Sequence, residues 1–595
     1  MKLVTTLIPG LAILSLAIPA AAQDIAHRKA GLTVQVQTGS GTPLEGATVE
    51  IEMLNHAFRF GCAVEHQFID PSSSSYDPFT VDTLQTYFNS ATYGNIMKWT
   101  YYEDRTDAQN LAIAALPQSF SAFDGPDKLR LRGHVTVWGA SYQVPNRVRN
   151  STDGAYISEQ ILDHVFDYHT TYKNSGVDNY DLYNEHFNER DLLIEKIVTN
   201  GVVAEEAAEV ATWFNKAKEA DPAAILFIND YNVLNDWTGG DTRVVAYKEF
   251  VDAVRDAGGQ IDGIGLQAHM DRPTTTKTDV TRRLDILAAP MAPTANHPDG
   301  LPGLRLEITE LDMSIRNRFF DNTWGWPNPT IEDEVAVTQA VLEGAFEHPA
   351  VDGITVWGID DFTHWRGNSI MFDNLQDEET GTSRTRIDPV LKETGQLYID
   401  KVLGEWWQDH SGASASSGAY TANTFKGTHR VTVTFNGETQ EEIVTLSEDD
   451  TLTVNFAAEA ADATTYDAWA AFITWGEASN ARTDDPDQDG RSNLHEFVFG
   501  THPLAQDTPK SPRLILADGA ADFIKYTLRA RNEGLDIQLA KSTNLVDWTP
   551  IQANLDGVNI GDGLADHTLR FSQSDLEPTA EEGSIFYRIQ VAEAD

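Results

Sequence analysis

The chain has 595 residues and a formal net charge of −47, and hydrophobic residues make up 41% of the sequence. This composition excludes an intrinsically disordered chain, and the length predicts about three or four folding units. Because so negative a surface repels polyanions, nucleic acid and anionic membranes are excluded as expected partners. We expect a monomer.

The N-terminus has the pattern of an export signal. Met1-Lys2 is a basic start, the stretch 3–18 is largely apolar, and Ala20-Ala21-Ala22 matches a small-residue cleavage site. A membrane anchor is the alternative, but the stretch is shorter than the ~20 apolar residues that a span needs. We therefore predict a signal peptide over residues 1–22, no membrane span, and a mature protein that is extracellular, periplasmic or displayed on the cell surface.

Residues 31–54 have the pattern of two strands around a turn. Both halves alternate between apolar and polar residues, and residues 39–43 contain the glycine and proline of a turn. We assign residues 23–56 to an N-terminal β extension.

From residue 57 to residue 407 short apolar runs alternate with longer helix-like stretches. Strands that alternate with helices pair in parallel, and eight such runs indicate closure into a barrel. We therefore predict an α/β fold, a (β/α)₈ TIM barrel, over residues 57–407. The runs are 59–64, 91–97, 129–138, 180–185, 225–230, 263–269, 304–312 and 353–359, and the clearest helical candidates are 158–173, 204–220, 243–257 and 331–346.

Several of these runs end in polar or aromatic residues. Asn184 and Glu185 end the fourth run, and Glu310 lies near the end of the seventh. In a (β/α)₈ barrel the carboxyl ends of the strands form the catalytic face. Some of these polar groups would cap helices, but a purely structural barrel has no need of so many at one rim. The sequence therefore predicts a functional cleft at that rim.

The composition changes after about residue 408. Residues 411–418 have the small residues of a linker, and alternating patterns at 430–435 and 451–456 predict strands. We assign residues 408–460 to a small β-sandwich-like module, 461–509 to a short helical segment with a calcium loop, and 510–595 to a C-terminal β-sandwich module.

The two glutamates suggest a specific chemistry. Cleavage of a glycosidic bond needs one carboxyl group to protonate the leaving oxygen and another to attack the anomeric carbon or activate water. Glu185 and Glu310 lie on the fourth and seventh runs, which can aim two carboxyl groups across one cleft. An Asn-Glu pair alone is a weak signal, but this combination on an eight-run chain is a strong one.

Short motifs at the run ends follow one another along the chain. They are the segments 88–99, 132–138, 180–185, 226–232, 261–269, 308–312 and 351–358 and the pair Trp365-Arg366. In this order they resemble glycoside hydrolase family 10, the family of endo-β-1,4-xylanases. The resemblance spans roughly residues 50–405 and is closest to the multidomain and plant-type branch.

The resemblance implies a role for each residue in cutting xylan or a related β-glycan. Glu185 would be the acid/base and Glu310 the nucleophile of a retaining endo-hydrolase that uses no cofactor for catalysis. Asn184 would bind the 2-hydroxyl of the reactive sugar, and His269 would orient the nucleophile. Gln267 and His134 would line the same subsite, Asn95 and Lys98 would hold the next sugar, and Trp357 and Trp365 would stack on sugar rings unless they pack in the core.

Three positions depart from the family pattern. Gly94 stands where the family has a glutamate, Gly139 stands where it often has a histidine, and Tyr180 replaces a tryptophan. We expect the two glycines to remove sugar contacts and to widen the pocket. One alternative is therefore a barrel that binds a β-glycan without cutting it, although the retained carboxyl pair opposes this. A second alternative is a cell-surface adhesin that binds through residues 410–595.

A second motif lies outside the barrel. Residues 485–496 read Asp-Pro-Asp-Gln-Asp-Gly-Arg-Ser-Asn-Leu-His-Glu, which matches the spacing of a calcium-binding loop. Gly490 permits the tight turn of such a loop. An acidic surface loop is the alternative in a chain this acidic. We predict a structural Ca²⁺ with ligands at Asp485, Asp487, Asp489, Arg491, Asn493 and Glu496.

Overall fold

The computed structural model describes most of the chain. The predicted signal peptide at residues 1–22 lies outside the described residues. Among the described helices, none is both long and apolar enough to cross a lipid bilayer. The described residues are 25–39, 41, 43–235, 240–313, 330–376, 385–435, 437–456, 466–471, 473, 475–476, 478–499, 501–506, 513–517, 520–529, 535–542, 546–551, 554–559, 564–570 and 586–593.

Eight parallel strands form a closed barrel, which confirms the fold predicted from the alternating runs. Each strand pairs with the next, and the eighth returns to the first, where Val356 lies opposite Cys62. Short strands at Val137–Trp138 and His269–Met270 add to the fourth and seventh strands. The eight strands are Arg59–Val64, Ser90–Tyr93, Arg130–Gly133, Val177–Asn184, Ile225–Asp230, Gly263–Leu266, Arg305–Met313 and Val351–Val356.

Several helices of the barrel begin at residues whose side chains cap the first turn. Asp153 accepts hydrogen bonds from the backbone N–H groups of Ala155 and Tyr156, and Thr276 and Thr330 each form a capping box with an aspartate. The four helices predicted from the sequence are all present. The α-helices of this region are His66–Ile69, Pro78–Tyr87, Trp99–Glu103, Asp107–Ala115, Asn146–Arg149, Gly154–Tyr172, Ile194–Ile197, Val203–Ala220, Thr242–Asp256, Lys277–Ala288, Ile331–Glu347 and Glu393–Ile399, with 3₁₀-helices at Ala26–Arg28 and Pro117–Ser119 and a π-helix at Asp400–Glu405.

The segments before and after the barrel fold together into one β domain of two sheets. The predicted division into modules at 23–56 and 408–460 therefore separates strands that pair with each other. An alternating pattern shows that a strand has an apolar face, but it does not show which distant strand covers that face. One sheet has the order Ala419–Phe425, Lys29–Thr38, Asp450–Phe456, and the other has the order His410–Ala413, Thr48–His56, Gly427–Phe435, Glu438–Leu446.

Part of the segment predicted to be a linker, residues 411–418, is a strand of this domain. His410–Ala413 pairs antiparallel with the strand Thr48–His56. The Ser414 hydroxyl then accepts a hydrogen bond from the Ala47 N–H at 2.9 Å and donates one to the Leu44 carbonyl at 2.6 Å. The small residues of this segment therefore allow close packing between chain segments rather than flexibility.

Arg28 attaches the β domain to the amino-terminal end of the barrel. Its guanidinium donates hydrogen bonds of 2.8, 2.9 and 2.7 Å to the carbonyls of Phe346, His348 and Val351. The same group lies 4.5 Å from the centre of the Phe58 ring. Burial lowers the pKa of Arg28 to about 10, with the charge of a nearby aspartate opposing the shift. Arg28 therefore remains cationic and satisfied by carbonyls at neutral pH.

Beyond the β domain, the described residues form two helices and two antiparallel sheets. The second helix begins within the last four residues of the predicted calcium loop and contacts one strand of each sheet. The predicted C-terminal module over 510–595 therefore contains the two sheets that a sandwich needs. The helices are Tyr466–Ala471 and Asn493–Phe499, and the sheets have the orders Arg513–Ala517, Ala520–Arg529, Leu564–Arg570, Asn554–Asn559 and Thr549–Ile551, Leu535–Ser542, Phe586–Glu593.

The shared β domain predicts different outcomes for two truncations. A chain that ends at residue 407 keeps the strand Lys29–Thr38 but loses both strands that pair with it. It also loses the apolar residues after position 407 that pack in one cluster with Leu32, Val34 and Val36. Because each exposed side chain of this size costs roughly 1.5–3 kcal/mol, we expect this chain to aggregate. A chain that ends at residue 456 keeps all seven strands and should be soluble, as size-exclusion chromatography would show. Equal solubility and melting temperature for both chains would contradict a shared domain.

Candidate active site

A cleft of about 510 Å³ opens at the carboxyl ends of the barrel strands. All of the residues that the sequence predicts as catalytic or substrate-binding line this cleft. They come from separate strands and meet because the strand ends of a closed barrel converge on one face. These residues are Asn95, Lys98, His134, Asn184, Glu185, Gln267, His269, Glu310, Trp357 and Trp365.

Glu185 follows directly after the fourth strand, in a left-handed backbone conformation with φ 60°. Its side chain is 9% exposed, and its oxygens accept hydrogen bonds from Gln267 Nε2 at 2.8 Å and Trp138 Nε1 at 2.9 Å. Burial raises the pKa of Glu185 to about 8, the Gln267 bond opposes the rise, and the charge of Glu310 adds to it. Glu185 therefore holds a proton at neutral pH, as a general acid must.

Glu310 lies on the seventh strand and has a hydrogen-bond partner on each oxygen. Asn229 Nδ2 donates to Oε1 at 3.0 Å, and His269 Nε2 lies 3.1 Å from Oε2. The residue is 4% exposed, so few of its contacts are with bulk water. The two partners fix the direction of the carboxyl group and aim it into the cleft.

His269 is held in turn by Asp312, whose Oδ2 lies 2.9 Å from His269 Nδ1. Burial alone would lower the pKa of His269, but the charge and hydrogen bond of Asp312, joined by those of Glu310, raise it to about 9. His269 therefore carries a proton on both ring nitrogens at neutral pH and donates to both carboxylates. Trp365 Nε1 donates to the same Asp312 oxygen at 2.9 Å, which places this tryptophan at the cleft rather than in the core.

Asn229 connects Glu310 to Asn184, the residue that precedes Glu185. Its Nδ2 donates to Asn184 Oδ1 at 2.9 Å as well as to Glu310, and its Oδ1 accepts from the Thr309 hydroxyl at 2.8 Å. To reach the seventh strand from the fifth, the side chain must cross the sixth strand at Gly265. A Cβ atom at position 265 would overlap Asn229 Oδ1, so a glycine is required there.

His134 is held in place by the buried ion pair between Asp181 and Arg132. His134 Nδ1 lies 2.9 Å from Asp181 Oδ2, and Arg132 Nη2 donates to Asp181 Oδ1 at 2.6 Å. All three side chains are nearly inaccessible to solvent. The rings of His134 and Trp357 meet in a T-shaped arrangement, with 5.3 Å between ring centres. The position of His134 therefore depends on charges inside the barrel.

Asn95 and Lys98 form one wall of the cleft. Lys98 Nζ donates to Asn95 Oδ1 at 3.2 Å and lies 4.5 Å from the ring centre of Trp138. Asn95 Nδ2 donates to Glu65 Oε1 at 2.6 Å. Burial lowers the pKa of Lys98, while the negative charges of Glu310 and Glu65 oppose that shift.

The expectation that Gly94 and Gly139 widen the pocket is wrong. A Cβ atom at position 94 would overlap Glu65 Oε1, and one at position 139 would overlap the backbone carbonyl oxygen of Glu189. Both spaces are therefore already filled by other parts of the chain. Tyr180 is 1% exposed and packs in the core. The presence of tyrosine instead of the family's tryptophan at this position therefore leaves the cleft unchanged.

Sequence reasoning assigned no role to several residues that line the cleft. Trp138 lines the cleft, and Asn229 and Asp312 bond to residues that line it. All three stand at run ends, and their positions alone could have identified them. Glu65 and Tyr231 are each the first residue after a strand, at the first and fifth strands. A rule that includes the residue after each strand would have found these two. The other lining residues are Ala63, Val64, Gly94, Tyr142, Gly358, Thr363, His364 and Arg366.

The predicted calcium loop forms a turn with three converging carboxylates. An oxygen of each of Asp485, Asp487 and Asp489 lies within 4.8 Å of the others. The Asn493 amide instead donates to the Ser479 and Ala481 carbonyls, at 3.1 and 2.8 Å. Arg491 pairs with Asp489 at 2.6 Å, and Glu496 is fully buried in the helix that follows. The structure thus groups three of the six predicted ligands in one cluster.

A (β/α)₈ barrel whose cleft contains two buried glutamates has the arrangement of a glycoside hydrolase. The chain belongs to glycosyl hydrolase family 10, because the model of that family matches residues 51–382, more than half of the sequence.

The comparisons also identify individual relatives. The chain is 31% identical over 292 residues to endo-1,4-beta-xylanase 3 of Hypocrea jecorina, across 49% of this chain and 72% of that protein. It is 26% identical over 416 residues to the anti-sigma-I factor RsgI6 of Acetivibrio thermocellus. That match covers 69% of this chain and 46% of the relative, so the chain spans less than half of that protein. A solved structure of a thermostable mutant xylanase from Cellvibrio japonicus aligns with 58% of this chain and 98% of its own, at 19% identity and a TM-score of 0.44.

The hydrogen bonds to Glu185 predict the alkaline limit of activity. Because the raised pKa of Glu185 keeps it protonated, kcat/KM should fall as the pH rises through about 8. The Trp138 indole N–H stabilises the ionised form of Glu185, so Trp138→Phe should raise this pKa. The alkaline limb of the pH profile of kcat/KM should then move to higher pH. Tyr142→Phe changes another cleft aromatic without removing a donor to Glu185, and the limb should stay in place. A limb that moves to lower pH in Trp138→Phe would contradict this assignment.

Proposed function

We propose that this protein is a secreted endo-acting hydrolase that cleaves β-1,4-linked xylan-type polysaccharide by double displacement. The observation that carries the proposal is the contrast between the two glutamates in one cleft. Glu185 is buried among neutral donors and keeps its proton, whereas Glu310 faces a protonated histidine. Such a contrast assigns an acid and a nucleophile to two groups of the same type.

In the first step the Glu310 carboxylate attacks the anomeric carbon while the Glu185 proton passes to the glycosidic oxygen. The C–O bond to the leaving chain breaks, and the sugar is held as an ester of Glu310. In the second step a water molecule gives its proton to the Glu185 carboxylate and attacks the same carbon. The ester bond breaks, and both glutamates return to their starting states. Two displacements at one carbon retain its configuration.

The surrounding residues position the sugar and the nucleophile. The Asn184 amide lies beside the acid, donating to Glu185 Oε1 at 3.2 Å, and can bond the 2-hydroxyl, a contact that strengthens as positive charge develops on the ring. His269 steadies the Glu310 carboxylate before attack, and Asp312 fixes the orientation of the imidazole. This chemistry proceeds by attack and proton transfer at side chains, and the proposal assigns no cofactor to it.

The choice of a xylan-type substrate is supported by the relatives and by the closed walls of the cleft. The Hypocrea relative bears the name of an endo-1,4-beta-xylanase. The spaces beside Gly94 and Gly139 are filled by Glu65 and Glu189, so they give no added room for a hydroxymethyl group. Export is supported by the residue pattern at positions 1–22, since a polysaccharide must be met outside the cell.

The alternative of a binding protein without activity depended on the two glycines. With both spaces filled, that argument loses its support. If the protein is instead an adhesin that binds through residues 410–595, this tail alone should bind the glycan. A reducing-end assay on soluble xylan separates the hydrolase from both alternatives, because only the hydrolase releases new ends, and glycan retention by the tail alone then separates the adhesin from a binding barrel.

The nucleophile assignment predicts a specific chemical rescue. Glu310→Ala should lower turnover by more than about a thousandfold, because the attacking group is lost. Azide should restore part of the activity and give a glycosyl azide of inverted configuration, detected by proton NMR. Glu189→Ala is the matched control, a partly exposed carboxylate beside the cleft, and should keep most activity. Native product of inverted configuration would rule out double displacement.

We also propose that the loop at residues 485–496 binds a structural Ca²⁺. Three carboxylates of Asp485, Asp487 and Asp489 converge there, and hard oxygen ligands suit this ion. Burial and the charges of Asp489 and Asp485 raise the pKa of Asp487, a repulsion that a cation would relieve. The N–H of Gly490 donates to Asp485 at 2.9 Å, which holds the turn. The ion would order the start of helix Asn493–Phe499.

Calcium should therefore stabilise the tail without affecting hydrolysis. Chelation should lower the melting temperature of a chain comprising residues 457–595, because an ion that binds only the folded form stabilises it. Asp487→Ala should have the same effect, whereas Asp484→Ala, one residue before the loop, should not. Titration calorimetry measures the binding directly. If chelator stops hydrolysis by the full chain, the proposed separation of roles fails.

A further inference from the structure

The residue that fills the space beside Gly94 is a glutamate from another strand. Glu65 is the first residue after the first barrel strand, whereas Gly94 follows the second. The two strands are neighbours, with Val64 opposite Tyr93 in the pairing. The positions that follow these strands therefore lie side by side at the rim of the cleft.

Gly94 is the condition for this placement. Any side chain at position 94 would begin with a Cβ atom that overlaps Glu65 Oε1. The glycine has no such atom, and the Glu65 carboxyl group occupies the space. The family pattern has a glutamate after the second strand, at the position of Gly94. In this chain the carboxyl group beside that position comes instead from Glu65, after the first strand.

The Glu65 carboxyl group faces the cleft and is held there by polar contacts. Oε1 accepts the hydrogen bond from Asn95 at 2.6 Å, and Asn95 in turn accepts from Lys98. Burial raises the pKa of Glu65, while the Asn95 bond and the Lys98 charge oppose the rise. Oε2 has no such contact to Asn95, and the residue is part of the cleft wall. Oε1 is thus used for positioning, which leaves Oε2 as the oxygen for a ligand in the cleft.

We propose that Glu65 binds the hydroxyl groups of the sugar next to the reactive one, on the wall formed by Asn95 and Lys98. This inference rests on the proposed function and names a specificity-determining residue for it. A carboxylate accepts hydrogen bonds from neighbouring hydroxyls and makes stronger bonds than a neutral acceptor. Because Glu65 also fills the space above Gly94, it excludes a sugar substituent from that side and favours a pentose over a hexose.

The test exchanges the positions of the glycine and the glutamate. Glu65→Ala removes the carboxyl group, Glu65→Gln keeps its size and the acceptor for Asn95, and Gly94→Glu places a second carboxyl group against the first. The double variant Glu65→Gly with Gly94→Glu returns one carboxyl group to the same space from the other strand. All variants are made in the full chain, and far-ultraviolet circular dichroism reports whether each one folds.

Two aryl glycosides separate this sugar position from the reactive one. Glu65→Ala should lower kcat/KM for an aryl β-xylobioside on the order of tenfold, with a smaller loss in Glu65→Gln. The aryl β-xyloside does not reach Glu65, and its kcat/KM should change less than about twofold. The ratio of aryl cellobioside to aryl xylobioside cleavage should rise in Glu65→Ala, which a merely structural role would not cause. Gly94→Glu should lose activity, and the double variant should recover most of it.

Binding is measured separately from turnover. In a Glu310→Ala background, calorimetry with xylotriose should show weaker affinity when Glu65→Ala is added. If the native chain releases no reducing ends from xylan and cuts neither aryl glycoside but this loss of affinity is seen, the proposed function fails and the role of Glu65 stands. If the native chain is active and Glu65→Ala and Glu65→Gln change neither affinity nor xylobioside cleavage, the role of Glu65 is overturned. Absence of any xylotriose binding in this background overturns it as well.

Discussion

One amide group, that of Asn229, holds the two halves of the catalytic site in a fixed relation. It bonds Asn184 on the fourth strand and Glu310 on the seventh. Asn184, which precedes the acid, and Glu310, the nucleophile, therefore share a single donor. This contact requires that the sixth strand carry no side chain where Asn229 crosses it. Gly265 meets that requirement, lying in register with Asn229 on one side and Glu307 on the other. The separation of the two glutamates therefore depends on barrel register.

The different partners of the two glutamates then give them different roles. Glu185 meets an amide and an indole, which donate hydrogen bonds but carry no charge, so burial dominates and its pKa rises. Glu310 meets His269, whose proton is retained because Asp312 lies on its far side. The pKa of Asp312 is well below its usual range, since the charges of His269 and Arg366 outweigh the effect of burial. The negative charge of Asp312 thus affects Glu310 indirectly, because it keeps His269 protonated beside the nucleophile.

The parts of the structure that follow from local pattern could be predicted, and those that depend on distant partners could not. The eight strands and the placement of Glu185 and Glu310 at their ends follow from runs of apolar residues and from the geometry of a closed barrel. The pairing of Lys29–Thr38 with Ala419–Phe425 does not follow. An alternating pattern indicates a strand with one apolar face, but it does not identify the distant strand that pairs with it. The aspartates at 485–489 could be grouped by spacing, but the contacts of Asn493 depend on residues before the motif.

The glycines of the cleft show why the absence of a side chain is not evidence of empty space. Gly94 and Gly139 each remove a side chain that the family pattern contains, and sequence alone makes both appear as losses. In the structure the first space holds the Glu65 carboxyl group and the second holds the Glu189 backbone. The cleft wall beside each glycine is therefore closed by atoms from another part of the chain. Substrate preference in such a barrel must be judged from what occupies each position around the sugar, because the residue at one aligned position does not determine it.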